Sequence, residues 1–137
     1  MAIAYHYRLE ARREARFHVQ VQVTRIEPVS HTPAEVPIKA RVVRVFRSDS
    51  TLRVGDEVMF SMRAYRQDDY VPPGPPFMIY EKLMRGNYME VYLNGDPPQC
   101  RVPWDECVIL DRPTRLARFR TSRLGELFSA LLLRASR

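Results

Sequence analysis

The residue types that most often carry chemistry are thin in this chain. There are three histidines, His6, His18 and His31, and two cysteines, Cys100 and Cys107. A structural zinc site takes four nitrogen or sulfur ligands, usually arriving as close pairs such as CxxC. Neither CxxC nor HxxxH occurs. The thiols are expected reduced and half-buried, with a disulfide as the alternative if they fall on neighbouring strands. Adjacent acids stand at Asp68–Asp69 and Asp105–Glu106. Paired carboxylates can shuttle a proton or hold a hard cation. Sequence neighbours on a strand point to opposite faces, so both pairs are expected to be solvated turn acids. No phosphate-cradling glycine loop, nucleophile elbow or HExxH is present. The expectation is no catalytic residue, no metal and no cofactor; an enzyme would need a site assembled only in three dimensions.

Recognition chemistry is better represented. Tyr65, Tyr70, Phe77, Tyr80, Tyr88, Tyr92 and Trp104 are interleaved with Arg63, Arg66, Lys82, Arg85 and Arg101. Exposed aromatics beside cations form stacking platforms for single-stranded nucleic acid or for peptides. Tyrosines also fill half-buried strand positions. The candidate binding residues are Tyr65, Tyr70, Phe77, Tyr80, Tyr88, Tyr92, Arg63, Arg66 and Arg85, with Arg112, Arg115 and Arg118 from the tail.

Charge placement narrows the choice. Residues 112–137 hold seven arginines and one acid, Glu126, which accounts for the whole formal net charge of +6. Residues 1–111 therefore balance fifteen basic against fifteen acidic side chains. A nucleic-acid-binding fold usually carries its basic patch on the binding groove; here the surplus belongs to the tail. Arginine supplies 20 of the 22 basic residues. That fits a coding sequence rich in G and C as readily as it fits phosphate recognition.

The elements that must position these groups follow from periodicity. In residues 17–27, Phe17, Val19, Val21 and Val23 alternate with His18, Gln20, Gln22 and Thr24, the period of a strand with one buried face. Residues 28–37 hold three prolines and read as a loop. Residues 38–47 read as a second strand, either buried on both faces or carrying a bulge near Val42 and Val43. Gly55–Asp56 turns the chain into a third strand at 57–65. The proline-rich stretch 66–76 excludes helix and central strand. Residues 77–84 read as a strand, and 88–103 as a hairpin. From Thr114, a plausible N-cap, residues 114–134 switch to helical spacing of Leu116, Phe119, Leu124, Leu127, Phe128 and Leu131. The domains are a polar arm at 1–16, a barrel at 17–111 and a basic amphipathic helical tail at 112–137. The fold class is mainly β, a five- to six-stranded antiparallel barrel with a C-terminal helix.

Residues 39–62 carry a resemblance. Ala40, Val42, Val45 and Phe46, then Leu52, Val54, Gly55, Asp56, Val58 and Phe60, resemble the second and third strands of OB-type barrels, in particular the netrin-module-like branch. Residues 88–95 are similar to the strand and turn that follow the long insertion there. The resemblance implies an OB-like barrel that binds protein, oligosaccharide or nucleic acid. It departs in disulfides, since netrin-like modules hold several and this chain has two cysteines. A second, partial resemblance is to PilZ-type cyclic-dinucleotide receptors. Their Arg-x-x-x-Arg arm is matched by Arg8/Arg12 and Arg12/Arg16, but their Asp-x-Ser-x-x-Gly turn has Thr51 and Val54 in the Ser and Gly positions.

The functional expectation is a non-enzymatic binding module recognising a protein or peptide partner. Its surfaces would be the proline loop at 70–77 and the Tyr/Arg-rich strands. The alternative is an OB-type binder of single-stranded nucleic acid; a PilZ-like receptor and a small enzyme are the remaining readings. Homodimerisation through the C-terminal helix is a further possible contact. The longest uninterrupted apolar run is Met1 to Tyr5, so no transmembrane segment or secretory signal is expected, and the expected location is cytoplasmic.

Overall fold

The alternation in the first strand builds one wall of a closed barrel. The computed structural model describes residues 2–71 and 78–118. Helix α1 (Ala2–Glu14) precedes β1 (Phe17–Ile26), β2 (Ala34–Arg47), β3 (Glu57–Tyr65), β4 (Met78–Ile79), α2 (Tyr80–Met84), β5 (Tyr88–Asp96), β6 (Gln99–Arg101), a 3-10 turn (Pro103–Asp105) and β7 (Cys107–Leu110). The path β1-β2-β3-β6-β5 closes because β5 also pairs with β1. The two remaining strands flank it, β4 on β3 and β7 on β5. Phe17, Val19 and Val21 face inward with Ile38, Ala40 and Val42 of β2, Val58, Phe60 and Met62 of β3, and Met89, Val91 and Leu93 of β5. Each large apolar side chain removed from water in this way contributes about 1.5–3 kcal/mol.

The anticipated bulge is present. Gln20 faces Arg44 and Val21 faces Val42, so Val43 is the extra residue and the outer face of β2 shifts there. β2 also starts earlier than expected and passes through Pro37, which the sequence reading had placed in a loop. Its carbonyl accepts from the Glu27 amide at 3.0 Å. The missing donor would point the same way, toward β1, which ends at Ile26; no ladder bond is lost in the middle of the sheet.

Other expectations are corrected. The barrel is mixed, because β3 pairs in parallel with β6 and with β4. Strand pairing in the stretch read as 77–84 is limited to Met78 and Ile79, and Tyr80 to Met84 turn into a helix that buries Tyr80 and Leu83 three positions apart. Within the expected polar arm at 1–16, Ala2–Glu14 form helix α1, docked through Arg8 and Arg12. Residues 111–118 run as bends, so no helix starts at Thr114; the remainder of the expected helix lies outside the described residues, as does the dimer contact placed on it. The β5–β6 hairpin is where it was expected.

Gly95 pins that hairpin at φ +99°, and a Cβ there would lie 3.1 Å from the Gln99 carbonyl oxygen. Gly95→Ala is therefore expected to lower stability by about 1–3 kcal/mol, read as a shift in the urea midpoint. An unchanged midpoint would show that the turn relaxes freely.

Candidate functional site

Strand alternation sends Glu35, Pro37 and Lys39 of β2 and Met59 and Ser61 of β3 to the outer side of the barrel. With Arg25 and Glu27 they form the floor of a trough of about 800 Å³. The far wall is Gln99, Cys100, Arg101, Val102, Trp104 and Asp105. The wall exists because β6 joins β3 at a single position, Met59 opposite Gln99, and then diverges. On the same edge β3 meets β4 only at Ala64 and Tyr65. Among the described residues, 60–63 have no strand partner on that edge. The Met59 amide donates to the Pro98 carbonyl at 2.7 Å and the Arg63 amide to the Asp105 carboxylate at 3.4 Å.

The lip of the trough is a backbone held in an unfavourable state. Trp104 (φ 53°) and Asp105 (φ 51°) are consecutive left-handed residues, and neither is glycine. Each such residue costs on the order of 1–3 kcal/mol and persists only where its surroundings enforce it. Enforcement comes from both sides. Tyr7 of α1 stacks on the Trp104 ring, 6.4 Å between centroids and 8° between planes. The next residue, Glu106, is fully buried and receives Arg8 Nε at 2.8 Å and Arg12 Nε at 2.9 Å. Arg47 completes the docking of α1 by donating to the carbonyls of Arg12, Arg13 and Ala15 at its C-terminal end. The strained turn keeps the Trp104 indole 42% exposed. Burial pushes the Asp105 carboxyl above its ordinary value, against the opposing pull of Arg63.

Trough charges are balanced. Arg25, Lys39 and Arg101 meet Glu27, Glu35 and Asp105. The ion pairs around it are exposed: Arg25 with Glu27 at 2.9 Å, Lys39 with Glu57 at 3.5 Å and Arg63 with Glu35 at 4.0 Å. Exposed pairs of this kind are worth little and rearrange easily.

A second polar assembly lies under cover, on the outer face of β1 and β5. His18 Nε2 and Glu90 Oε2 are 2.9 Å apart, and Gln20 donates to Glu90 Oε1 at 2.8 Å. Thr114 exchanges two hydrogen bonds with Gln20, and the Arg118 amide donates to Glu90 at 2.8 Å. Burial would raise the Glu90 carboxyl, but these donors outweigh it and hold it below its ordinary value. Every member of this group is spent on another, so it serves as a clasp for residues 111–118.

The residues expected to bind are dispersed. Tyr65, Tyr80 and Tyr92 are buried; Tyr92 stacks on His18 at 4.0 Å, and burial raises its phenol. Arg63 Nε donates to the Tyr65 hydroxyl at 3.1 Å, and Arg66 lies 5.0 Å over the Tyr80 ring. These four do come together at the end of β3, with the cations outermost. Tyr70 is exposed and Tyr88 half-buried, while Phe77 lies outside the described residues. Arg85 is exposed and donates to the Glu81 carbonyl. Arg112, Arg115 and Arg118 are exposed on the segment after β7 and do not line the trough. The PilZ-like arm is engaged internally: Arg8 and Arg12 hold Glu106, and Arg16 reaches Asp49, Thr51, Asp96 and the Gly95 carbonyl. The expectation that Asp105 and Glu106 are both solvated fails, because Glu106 is the buried anchor of α1. Cys100 and Cys107 are free thiols, each raised by burial.

Sequence reasoning passed over Trp104, Lys39, Glu35 and Asp105 as a group. One signal was available: the sole tryptophan sits between Pro103 and Asp105, a place for a turn rather than a core. No family model, curated protein or solved structure matches the chain.

Proposed function

We propose that this chain is a binding module of OB type that receives an extended peptide segment of a protein partner in the trough beside Trp104. Five strands closing through one parallel pairing support the OB-type reading, and the outer face of the second and third strands is where such barrels take ligands. The observation that carries the peptide reading is the strained, exposed Trp104 standing next to residues 60–63, which have no strand partner on that edge among the described residues. An extended peptide finds there both backbone groups to pair with and an aromatic anchor.

Single-stranded nucleic acid is the weaker reading. A groove that tracks a phosphate backbone is cationic and lined with several stacking rings. This trough is lined by three basic and three acidic side chains, and Trp104 is the exposed ring among its described residues. Tyr65, Tyr80 and Tyr92, three of the five candidate tyrosines, are buried.

Trp104 is its own reporter, being the only tryptophan. A bound peptide is expected to shift its emission and to be lost in Trp104→Gly. Glycine relieves the left-handed strain while removing the Tyr7 stack, so the urea midpoint of that variant is expected to stay within about 1 kcal/mol of the parent. The check is calorimetric titration of randomised heptapeptide pools against both proteins, since Trp104→Gly has no tryptophan emission to follow, with poly-dT as comparator. Equal emission changes in a peptide titration of a Trp104→Phe/Tyr7→Trp reporter and no change at Trp104 would remove the reading.

A further inference from the structure

The trough has a direction. On β2, Lys39 and Glu35 lie on the same outer face four residues apart, which is about 13 Å along a strand. Arg25 stands opposite Lys39 in the ladder, so that end carries two cations, which rest on the exposed carboxylates of Glu27 and Glu57. At the other end Glu35 lies opposite Arg63, whose amide contacts Asp105. Trp104 lies beside Asp105 on the far wall. Among the described residues Arg101 has no ion-pair partner, and it faces the middle of the trough from β6. A ligand that is wholly acidic meets Glu35 and Asp105; one that is wholly basic meets Arg25 and Lys39. Like-charge contacts in a partly enclosed site are penalised, and this sets partner choice more than raw affinity.

We infer that the natural occupant is an extended segment with a carboxylate side chain and a cationic side chain four residues apart, the carboxylate at Arg25 and Lys39, the cation at Glu35 and Asp105, and an apolar or aromatic residue between them against Trp104. The inference rests on the reading of the trough as a peptide site and adds its charge order. A period of two places residues i, i+2 and i+4 of an extended ligand on one side, so the three contacts belong to a single face of the peptide. For these contacts to form, the Arg25–Glu27, Lys39–Glu57 and Arg63–Glu35 pairs must open, which costs little because all three are exposed.

The test uses the intact protein and four acetylated, amidated pentapeptides with threonine, tyrosine and threonine in the middle. Their ends are Glu and Lys, Lys and Glu, Glu and Glu, or Lys and Lys. Binding is followed by Trp104-centred chemical shifts of the indole and of the residue 60–63 amides. At least one of the two bipolar peptides is expected to bind about tenfold tighter than either like-charged one. Lys39→Glu is expected to move the preference to the two-lysine peptide, and Glu35→Lys to the two-glutamate peptide. Both positions are exposed, and circular dichroism checks that the variants fold. Equal binding of all four peptides at the trough would overturn the charge order and leave the peptide site standing. No shift of Trp104 or of residues 60–63 by any peptide would overturn both. Poly-dT outcompeting every peptide, or self-association through the trough, would overturn the choice of occupant.

Discussion

Glu106→Ala is expected to destabilise the protein by about 3–5 kcal/mol, the range for breaking a buried ion pair from one side. The Glu106 side chain is inaccessible to solvent, and the Arg8 and Arg12 side chains are 20% and 8% exposed. Removing the anion takes the Glu106 carboxylate away from the buried Arg12 guanidinium. Helix α1 has thirteen residues and no acidic side chain in its first turn; a helix of that length is marginal alone and depends on being held. Its release also unstacks Tyr7 from Trp104. The same variant should therefore show a red-shifted tryptophan emission before global unfolding in a urea titration. A stability of 5–15 kcal/mol is ordinary for one domain, so this single substitution removes a large share. Replacing all three charged residues by methionine should recover more than half of the loss, since apolar replacement of a whole buried cluster is often neutral. A midpoint unchanged in Glu106→Ala would show that α1 is seated by something else.

Glu90→Ala is expected to cost about 3 kcal/mol, because it strips His18, Gln20 and the Arg118 amide of a shared acceptor in a buried place. The clasp on residues 111–118 should open with it, seen as faster amide exchange at Thr114 and Arg118. The pH dependence has a definite sign. The folded state holds this carboxyl below its ordinary value, so at intermediate acid pH the unfolded chain binds more protons than the folded one. The stabilisation is fully present above the ordinary carboxyl range and is lost as pH falls through the lowered folded value. Asp49, held at about 2 by Thr51 and Arg16, acts in the same direction but is exposed and so contributes less. In Glu90→Gln the acid-side slope of stability against pH should flatten. An identical slope in parent and variant would assign acid sensitivity to other carboxylates.

Much of the barrel was legible because local physics dictated it. Alternation of Phe17, Val19 and Val21 against His18, Gln20 and Gln22 marked β1, and the doubled apolar positions at Val42 and Val43 marked the bulge. Turn residues bounded β3 and the hairpin. What alternation cannot say is which side of a strand is later covered. His18, Gln20, Glu90 and Tyr92 share the outer face of β1 and β5, yet all four are buried, because α1 and residues 111–118 fold back over that wall. Tyrosines that read as a stacking face became packing residues for the same reason. The stretch 77–84 was misread because Tyr80 and Leu83 satisfy a helix as well as a short apolar strand. The trough was invisible for a different reason. Its charges come from β1, the residue after it, β2, β6 and the turn after β6, and only the closure of the barrel places Lys39, Glu35, Arg101 and Trp104 around one space.

Amide hydrogen exchange of the intact protein with and without the bipolar pentapeptides tests the peptide site most directly. The amides of Ser61 and Arg63 are expected to slow on binding, with the indole N–H of Trp104, while those of α1, β5 and residues 111–118 keep their free rates. Protection confined to β5, β7 or residues 111–118, with Ser61 and Arg63 exchanging as before, would place any ligand on the opposite wall and contradict the account.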